Sequence, residues 1–320
     1  MIGVVVTVAA FVPSRYARGL SIAAELTKQG PVRVSSSRVK ESPAEWWPRA
    51  MAAVVDMERD NPKLTATVVV QDDVEIAPHL LDHVEHVLRA ADSRVVSLHT
   101  SLPSAEQLLG LGMRFARSWW VTGPAYVLRR GVAKQLLVLF NRLHHAMRKD
   151  MKEDNLVQLW CWMQREPAWS TIPAMVVHDL QEPSVYEHRP QGWRTASVPF
   201  TKFPVGRPEE YWRAHPANVA PPLLACPWFS EQWFRKLEIS VALGIDHMTC
   251  HACLESRSAL FANDSALQVC AACAAKLGEG AGEVMRRREV THGDAERAAS
   301  ERLRSDMDEM AKPYMSEVTS

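Results

Sequence analysis

The run Val68–Ile76, VVVQDDVEI, constrains the fold more than any other stretch of the chain. Three consecutive β-branched valines have the composition of a strand buried on both faces. The run stops at Gln71-Asp72-Asp73. Two adjacent carboxylates at the end of a buried strand are costly to bury without a cation or a donor. In open α/β sheets, ligands sit in the crevice beyond the carboxyl ends of the strands. Pro78 suits the first turn of a helix. The stretch reads as strand, acidic metal-binding turn, helix. The competing reading is a pair of solvated turn aspartates, which are common.

The flanking sequence supports a sheet around this strand. Ile2–Ala10 is a continuous apolar strand, followed by a loop over Phe11–Ala17 and a helix over about Ala17–Gln29. Val32–Val34 is a second strand, Ala44–Arg59 a second helix and Leu64–Val70 the strand that enters the acidic turn. Alternating strands and helices predict a mostly parallel sheet with helices on both faces. Arg15, Arg18 and Arg38 fall in the first two strand-end loops. They are candidates for phosphate or base contacts, or ordinary surface arginines. No Gly-rich phosphate fingerprint can be written onto these loops.

Further along, Leu80–Ala91 has a helical apolar face, Arg94–Leu98 is a strand, and Ser101–Arg117 is irregular with room for a short helix. A strand ends at Val127-Leu128, and Val132–Met147 is a helix. Leu156–Met163 carries a buried helical stripe, and Ala174–Val177 is a last short strand before His178-Asp179. Glu182–Pro227, rich in Pro, Trp, Arg and His, is expected to wrap over the sheet or to form a lid. A helix covers about Ser230–Leu243, and the charged remainder beyond Gly278 reads as a solvated helix.

Lys+Arg and Asp+Glu are both 37, so no global basic field announces a nucleic-acid binder. No apolar run approaches a membrane span, and Met1–Ala10 reads as a first strand rather than a signal peptide. Of six cysteines, four form Cys250-x-x-Cys253 and Cys270-x-x-Cys273, with sixteen residues between the pairs. Thiolates at this spacing close a tetrahedral, structural Zn²⁺ site. Such a pattern belongs to a reducing compartment. The expected location is cytoplasmic, in a bacterium or a phage-infected host cell.

One order of motifs then stands out. Gln71-Asp72-Asp73-Val74 is followed about fifty residues later by Gly123-Pro124-Ala125-Tyr126-Val127-Leu128, then Glu153-Asp154 before a helix, then Val176-Val177-His178 and Ser184. Over roughly Met1–Ser184 this resembles the GT-A-type glycosyltransferases, in particular the lipopolysaccharide-type group whose acidic motif is Glu-Asp-Asp. Gln71 stands where that group has Glu. The resemblance implies a GT-A-like, Rossmann-like fold and a nucleotide-sugar donor. It implies Asp73 and His178 as ligands of Mn²⁺ or Mg²⁺, with Asp72 on the ribose or the metal's water shell. Asp154 becomes the general base of an inverting transfer, with Glu153 as its fallback; the plainer reading of Asp154 is a helix cap. His178 taken alone reads as a satisfied strand-end histidine. Gly123 and Tyr126 become candidates for shaping the acceptor pocket. Trp119 and Trp120 either stack on a sugar or base or belong to the core.

The layout expected is a GT-A-like domain over 1–215, a linker and helix over 216–245, a four-cysteine zinc module over 246–277 and a charged helical tail over 278–320. The acceptor is expected to be a hydroxymethylpyrimidine in phage DNA. Arg189, Arg194, Lys202, Arg207 and Arg213, interleaved with Trp193, Phe200, Phe203, Tyr211 and Trp212, would line its groove. A lipopolysaccharide or other glycan is the alternative acceptor. From other classes, the alternatives are a metal-dependent nuclease and a non-catalytic scaffold that binds nucleic acid or protein.

Overall fold

A computed structural model of the 320-residue chain describes residues 1–40, 42–179, 195–212, 221–224 and 231–243, the pairs 261–262 and 268–269, and residues 301 and 305. In chain order the elements begin β1 (Ile2–Ala9), α1 (Pro13–Thr27), β2 (Val32–Ser37), α2 (Pro43–Asp60), β3 (Ala66–Gln71), β4 (Val74–Ile76), α3 (Leu80–Ala90) and β5 (Val95–Ser97). They continue with α4 (Ala105–Gly110), β6 (Phe115–Ser118), β7 (Ala125–Arg129), α5 (Val132–Arg142), α6 (His145–Asp150), α7 (Glu153–Gln164), β8 (Ala168–Thr171) and β9 (Val176–His178). The last are α8 (Pro208–Tyr211), α9 (Glu231–Leu243), β10 (Phe261–Ala262) and β11 (Gln268–Val269).

The central seven-stranded sheet has the order β2-β1-β3-β7-β5-β8-β6. β1 pairs in parallel with both β2 and β3, and β5 with β8, whereas β7 and β6 run against their neighbours. The sheet is therefore α/β and mostly parallel, as the alternation of elements predicts. Strand alternation divides its side chains between two layers. Val4, Val6, Val8, Val68 and Val70 enter one core with residues of α1 and α3, while Val5 and Val69 enter the other with α2, α5 and α7. Val68, Val69 and Val70 are fully buried, each contributing about 1.5–3 kcal/mol relative to exposure. Such a strand packs on both faces and can end only where the cores end, which is where the aspartates begin.

α2 shows how local chemistry fixes an element. Ser42 precedes Pro43, and the Ser42 N–H donates to Glu45 Oε2 at 3.0 Å, as in a capping box. Glu58, near the other end of this helix, is fully buried and accepts the Gly131 N–H at 3.2 Å. Burial pushes its carboxyl up to about 7, against the opposing effects of the Gly131 amide and the Arg130 charge. The folded chain holds this proton more tightly than the unfolded chain. Glu58 therefore lowers stability progressively as pH rises from about 4.5 to about 7. Glu58→Gln is expected to raise stability by up to about 3 kcal/mol above pH 7 and to leave it unchanged near pH 4. Thermal unfolding at the two pH values checks this; an equal effect at both would contradict it.

The segment 195–212 wraps over the sheet, as its composition suggests, and four of the aromatics expected to line a DNA groove pack partly or wholly against it. Trp212 is 2% exposed, with its indole N–H donating to His83 Nδ1 at 2.9 Å. Tyr211 donates to the Ile172 carbonyl at 3.0 Å under the Arg114 guanidinium. Phe200 and Phe203 pack against apolar clusters. Trp212 is buried and the other three rings are partly buried, because the sheet and α3 leave an apolar flank that needs covering. Lys202 and Arg207 are exposed. Arg189, Trp193, Arg194 and Arg213 lie outside the described residues, as do most of the expected linker, the zinc cysteines and most of the charged tail. Among the described residues no helix is long and apolar enough to cross a membrane.

Candidate functional site

β1, β2 and β3 end together on one edge of the sheet, and the acidic turn forms the rim there. Asp72 turns inward and is 2% exposed. Its Oδ2 accepts the Ala9 N–H at 2.6 Å, and its Oδ1 accepts Arg15 Nε at 2.9 Å and Arg15 Nη2 at 2.5 Å. The same Nη2 lies 2.9 Å from Asp73 Oδ2. Arg15 thus bridges both aspartates while itself only 6% exposed. It stands in the first turn of α1, which starts at Pro13, earlier than the loop expected around it. Gly19, one turn on, makes this approach possible: a Cβ there would lie 2.6 Å from Val8 Cγ2 and 3.2 Å from Asp72 Cβ. Burial raises the Asp72 pKa above its ordinary value, a push that Arg15 and the Ala9 amide oppose without cancelling.

β4 continues from Asp73 and pairs antiparallel with β9, setting Val74 opposite His178. The next amide, Asp179 N–H, donates to the Asp73 carbonyl at 2.9 Å. His178 Nδ1 comes within 3.6 Å of Asp73 Oδ1 and has no hydrogen-bond partner among the described residues. The Asp179 carboxylate pairs with Arg18 of α1. Behind His178 stands His99, edge-on with ring centroids 5.7 Å apart. His99 Nδ1 lies 3.0 Å from the Val176 carbonyl, which can only accept, so this nitrogen carries the proton. Burial, with His178 alongside, pushes His99 down to about 3 and keeps it neutral.

The acidic residues of α7 approach the same edge from the other core layer. Gln71 N–H donates to the Pro124 carbonyl at 2.9 Å, and β7 starts there, with Ala125 opposite Val70 and Tyr126 opposite Val69. Tyr126 is fully buried, and its hydroxyl donates to Glu153 Oε1. Burial and the Glu153 charge raise the phenol well above its ordinary pKa, so it remains a donor. Asp154, 7% exposed, accepts the Asn155 N–H at 3.0 Å. Both carboxylates lie in the first turn of α7, where the helix dipole favours negative charge.

Among the expected site residues, Arg15, Arg18, Asp72, Asp73 and His178 come together around the acidic turn. Gly123 sits against it, since a Cβ there would lie 3.2 Å from Gln71 Nε2. Tyr126 is tied to Glu153 inside the core. Arg38 is exposed beyond β2. Trp119 packs edge-on against Trp162, ring centroids 5.3 Å apart, and Trp162 donates to Glu238 of α9. Trp162 lies nine residues beyond Glu153, about 13 Å along the helix. Trp119 therefore belongs with the far end of α7. Trp120 donates its N–H to Ser118 Oγ at 2.9 Å. Cys250, Cys253, Cys270 and Cys273 lie outside the described residues. Sequence reasoning gives His99 and Asp179 no role. Their position just past the ends of strands, His99 two residues after β5 and Asp179 directly after β9, is the signal available.

Asp73 and His178 are the two groups at the acidic turn with the chemistry to hold a hard divalent cation. The unpartnered Nδ1 of His178 faces an oxygen of Asp73, and one imidazole with a carboxylate fits Mn²⁺ or Mg²⁺. Asp72 is differently placed, since both its oxygens already accept hydrogen bonds from Arg15 and Ala9. Among the described residues no group of three or more His, Cys, Asp or Glu side chains converges as a complete cation site.

No protein-family model matches the chain, and no curated protein matches it in sequence. In structure it is similar to a glycosyltransferase involved in the glycosylation of the major capsid of PBCV-1. The identity is 10% and the TM-score 0.33, over 56% of this chain and 94% of that one. It is also similar to the crystal structure of a protein from STIV, at 10% identity and a TM-score of 0.33, over 59% of this chain and 99% of that one.

Proposed function

We propose that the protein is a metal-dependent, inverting glycosyltransferase that moves a sugar from a nucleotide-sugar donor to an acceptor hydroxyl. The observation that carries this reading is the pairing of Asp73 and His178, 3.6 Å apart at the carboxyl ends of β1 and β3. The acidic first turn of α7 reaches the same edge through Tyr126. Asp73 and His178 would hold the divalent cation, which when bound would supply Lewis-acid stabilisation to the departing diphosphate. Arg18, on the half-exposed side of α1, adds positive charge beside it. Asp154 takes the proton of the acceptor hydroxyl as the oxygen attacks the anomeric carbon. The bond from that carbon to the diphosphate breaks, and the configuration inverts.

A glycan hydroxyl is the acceptor favoured, because Trp212 is buried and Phe200, Phe203 and Tyr211 are partly buried against apolar clusters, which leaves less ring face for stacking on bases. The test is a panel of nucleotide sugars with Mn²⁺, reading released nucleoside diphosphate. Glycans, hydroxymethylpyrimidine DNA and unmodified DNA are offered in turn as acceptors. Donor-dependent release with transfer to glycans is expected. Transfer to modified DNA alone would restore the DNA reading, and cleavage of DNA without any sugar transfer would replace the reading with a nuclease.

The cysteine quartet is part of the same proposal as a structural Zn²⁺ site. β10 pairs antiparallel with β11 within the sixteen-residue spacer, and β11 ends at Val269, immediately before Cys270. A short hairpin between two Cys-x-x-Cys pairs suits a zinc knuckle. Purified protein is expected to carry about one Zn²⁺ per chain, with chelation releasing four thiols to titration. Metal analysis that finds no zinc while those thiols titrate freely in folded protein would remove the site.

A further inference from the structure

We propose that the segment 195–212 is a strap closed by an acid-labile clasp, the hydrogen bond from the Trp212 indole to His83, so that protonation of His83 lifts the far end of the strap from the sheet. The inference stands apart from the transferase reading. The strap is anchored twice. At its near end the backbone holds it. Ser197 N–H donates to the Thr100 carbonyl at 2.9 Å, Ala174 N–H to the Val198 carbonyl at 2.8 Å and Phe200 N–H to the Ala174 carbonyl at 3.1 Å. Most residues between Thr201 and Glu210 are exposed. At the far end the backbone amides of Glu210, Tyr211 and Trp212 bond within the strap, to Arg207 and Pro208. Side chains reach the sheet and α3 instead. The Tyr211 hydroxyl donates to the Ile172 carbonyl at 3.0 Å. The Trp212 ring lies against Phe115, centroids 5.3 Å apart, and stands edge-on to His83 with its N–H 2.9 Å from Nδ1.

The clasp works in one protonation state only. An indole N–H can only donate, so His83 Nδ1 accepts, and the proton of the neutral ring sits on Nε2. An imidazolium carries a proton on both nitrogens. Its Nδ1–H would meet the Trp212 N–H, two donors with no acceptor between them. His83 is 4% exposed and Trp212 2%, so water does not make good that loss. The ring therefore takes its second proton as Trp212 leaves. The charged and titratable groups around it are His79, Asp82 and His86 on α3 and Glu209 on α8; one residue along the strap, Arg114 lies over the Tyr211 ring. Burial, with His79 and His86 in support, pushes His83 down from 6.5 to about 4, against the attraction of Asp82 and Glu209. The closed strap holds this proton less tightly than the open one. Closure is fully favoured above about pH 6.5 and weakens as pH falls towards about 4. The near anchor consists of backbone bonds, which do not titrate, so the strap opens from its far end.

The experiment measures amide hydrogen exchange by mass spectrometry on the full chain at pH 7 and pH 5, with exchange times scaled to the intrinsic rate at each pH. Protection of the Glu210, Tyr211 and Trp212 amides is expected to fall about twentyfold from pH 7 to pH 5, the linkage for a histidine moved from 6.5 to about 4. The amides of β1 and β3, which exchange by global unfolding, are expected to stay far better protected at both values. His83→Gln keeps a carbonyl oxygen for the indole and does not titrate, so its strap protection is expected to be the same at both pH values. No fall in the natural protein, or an equal fall in His83→Gln, overturns the inference. Since Gln can seat the indole less well than the imidazole does, the His83 ring of the natural protein is also read directly by ¹⁵N NMR. It is expected to show a bare Nδ1 and a protonated Nε2 at pH 5 wherever the strap is closed. An imidazolium at pH 5 under a strap that is still protected overturns the inference whatever the variant does.

Discussion

Asp73→Asn is expected to lower sugar transfer by about a thousandfold or more while leaving the fold intact. Asp73 is the one carboxylate of the turn with an oxygen towards His178, 3.6 Å from its Nδ1. Asn keeps the shape of Asp but has no charge, and its amide nitrogen cannot serve as a metal ligand. The loss is that of the electrostatic stabilisation of the leaving diphosphate, several kcal/mol at about 1.4 kcal/mol per tenfold in rate. The fold survives because Arg15 keeps its two bonds to Asp72, and the Asp73 carbonyl still accepts the Asp179 N–H. Steady-state rates in Mn²⁺, with thermal unfolding as the control, make the measurement. Near-normal turnover in folded Asp73→Asn protein would show that the acidic turn is not the metal site. His178→Ala is expected to fall in the same direction, since it removes the second donor from the same position.

The elements legible in the sequence are those whose residues settle their own conformation. Val68–Val70 has to be a buried strand, and the aspartates after it have to lie at the edge of the core. α2 is legible because Ser42, Pro43 and Glu45 cap it and its apolar stripe runs the full length. The strands that sequence reasoning misses are those made by pairing. Phe115–Ser118 and Ala168–Thr171 are four residues each, with Arg, Ser and Thr among the apolar positions. Their antiparallel register with one another, and the parallel pairing of Ala168–Thr171 with β5, make them strands. Val74–Ile76 reads as part of the turn because its strand character comes from β9, about a hundred residues away. The long helix over Val132–Met147 divides at Leu143, where the backbone turns extended, and no Gly or Pro marks the break. Strand direction leaves no periodic trace, so the reversal of β7 is invisible in the sequence.

Within the site, residue types are legible and partnerships are not. Arg15 and Asp72 are 57 positions apart, and nothing local distinguishes Arg15 from Arg38, which ends exposed. Only the fold decides that one arginine is buried against two carboxylates and the other faces water. Trp119 and Trp120 show the same limit in reverse. An adjacent aromatic pair suits a sugar platform and a helix contact equally well, and the contact of Trp119 with Trp162 of α7 could not be read from the sequence.

Asp154→Asn is expected to lower turnover by about 10²- to 10⁴-fold, the scale for losing a positioned general base, with little change in donor affinity. The structure separates it from its neighbour. Glu153 is 5% exposed and accepts the hydroxyl of Tyr126, a phenol that burial keeps protonated. A carboxylate committed to a permanent donor is a poor base, because taking a proton means giving up that bond. Glu153→Gln is therefore expected to act mainly on stability, by about 1–3 kcal/mol for a charge-assisted buried hydrogen bond. Asp154 accepts the backbone N–H of Asn155, an interaction that the Oδ1 of an asparagine preserves. The substitution thus keeps the helix start and removes the basicity. Single-turnover rates and donor binding measured on both variants distinguish the roles, and NMR of the product's anomeric configuration tests inversion independently. If Asp154→Asn weakens donor binding and leaves the chemical step untouched, Asp154 is a helix cap. If Glu153→Gln shows the larger loss in the chemical step, the base is Glu153, acting through its contact with Tyr126.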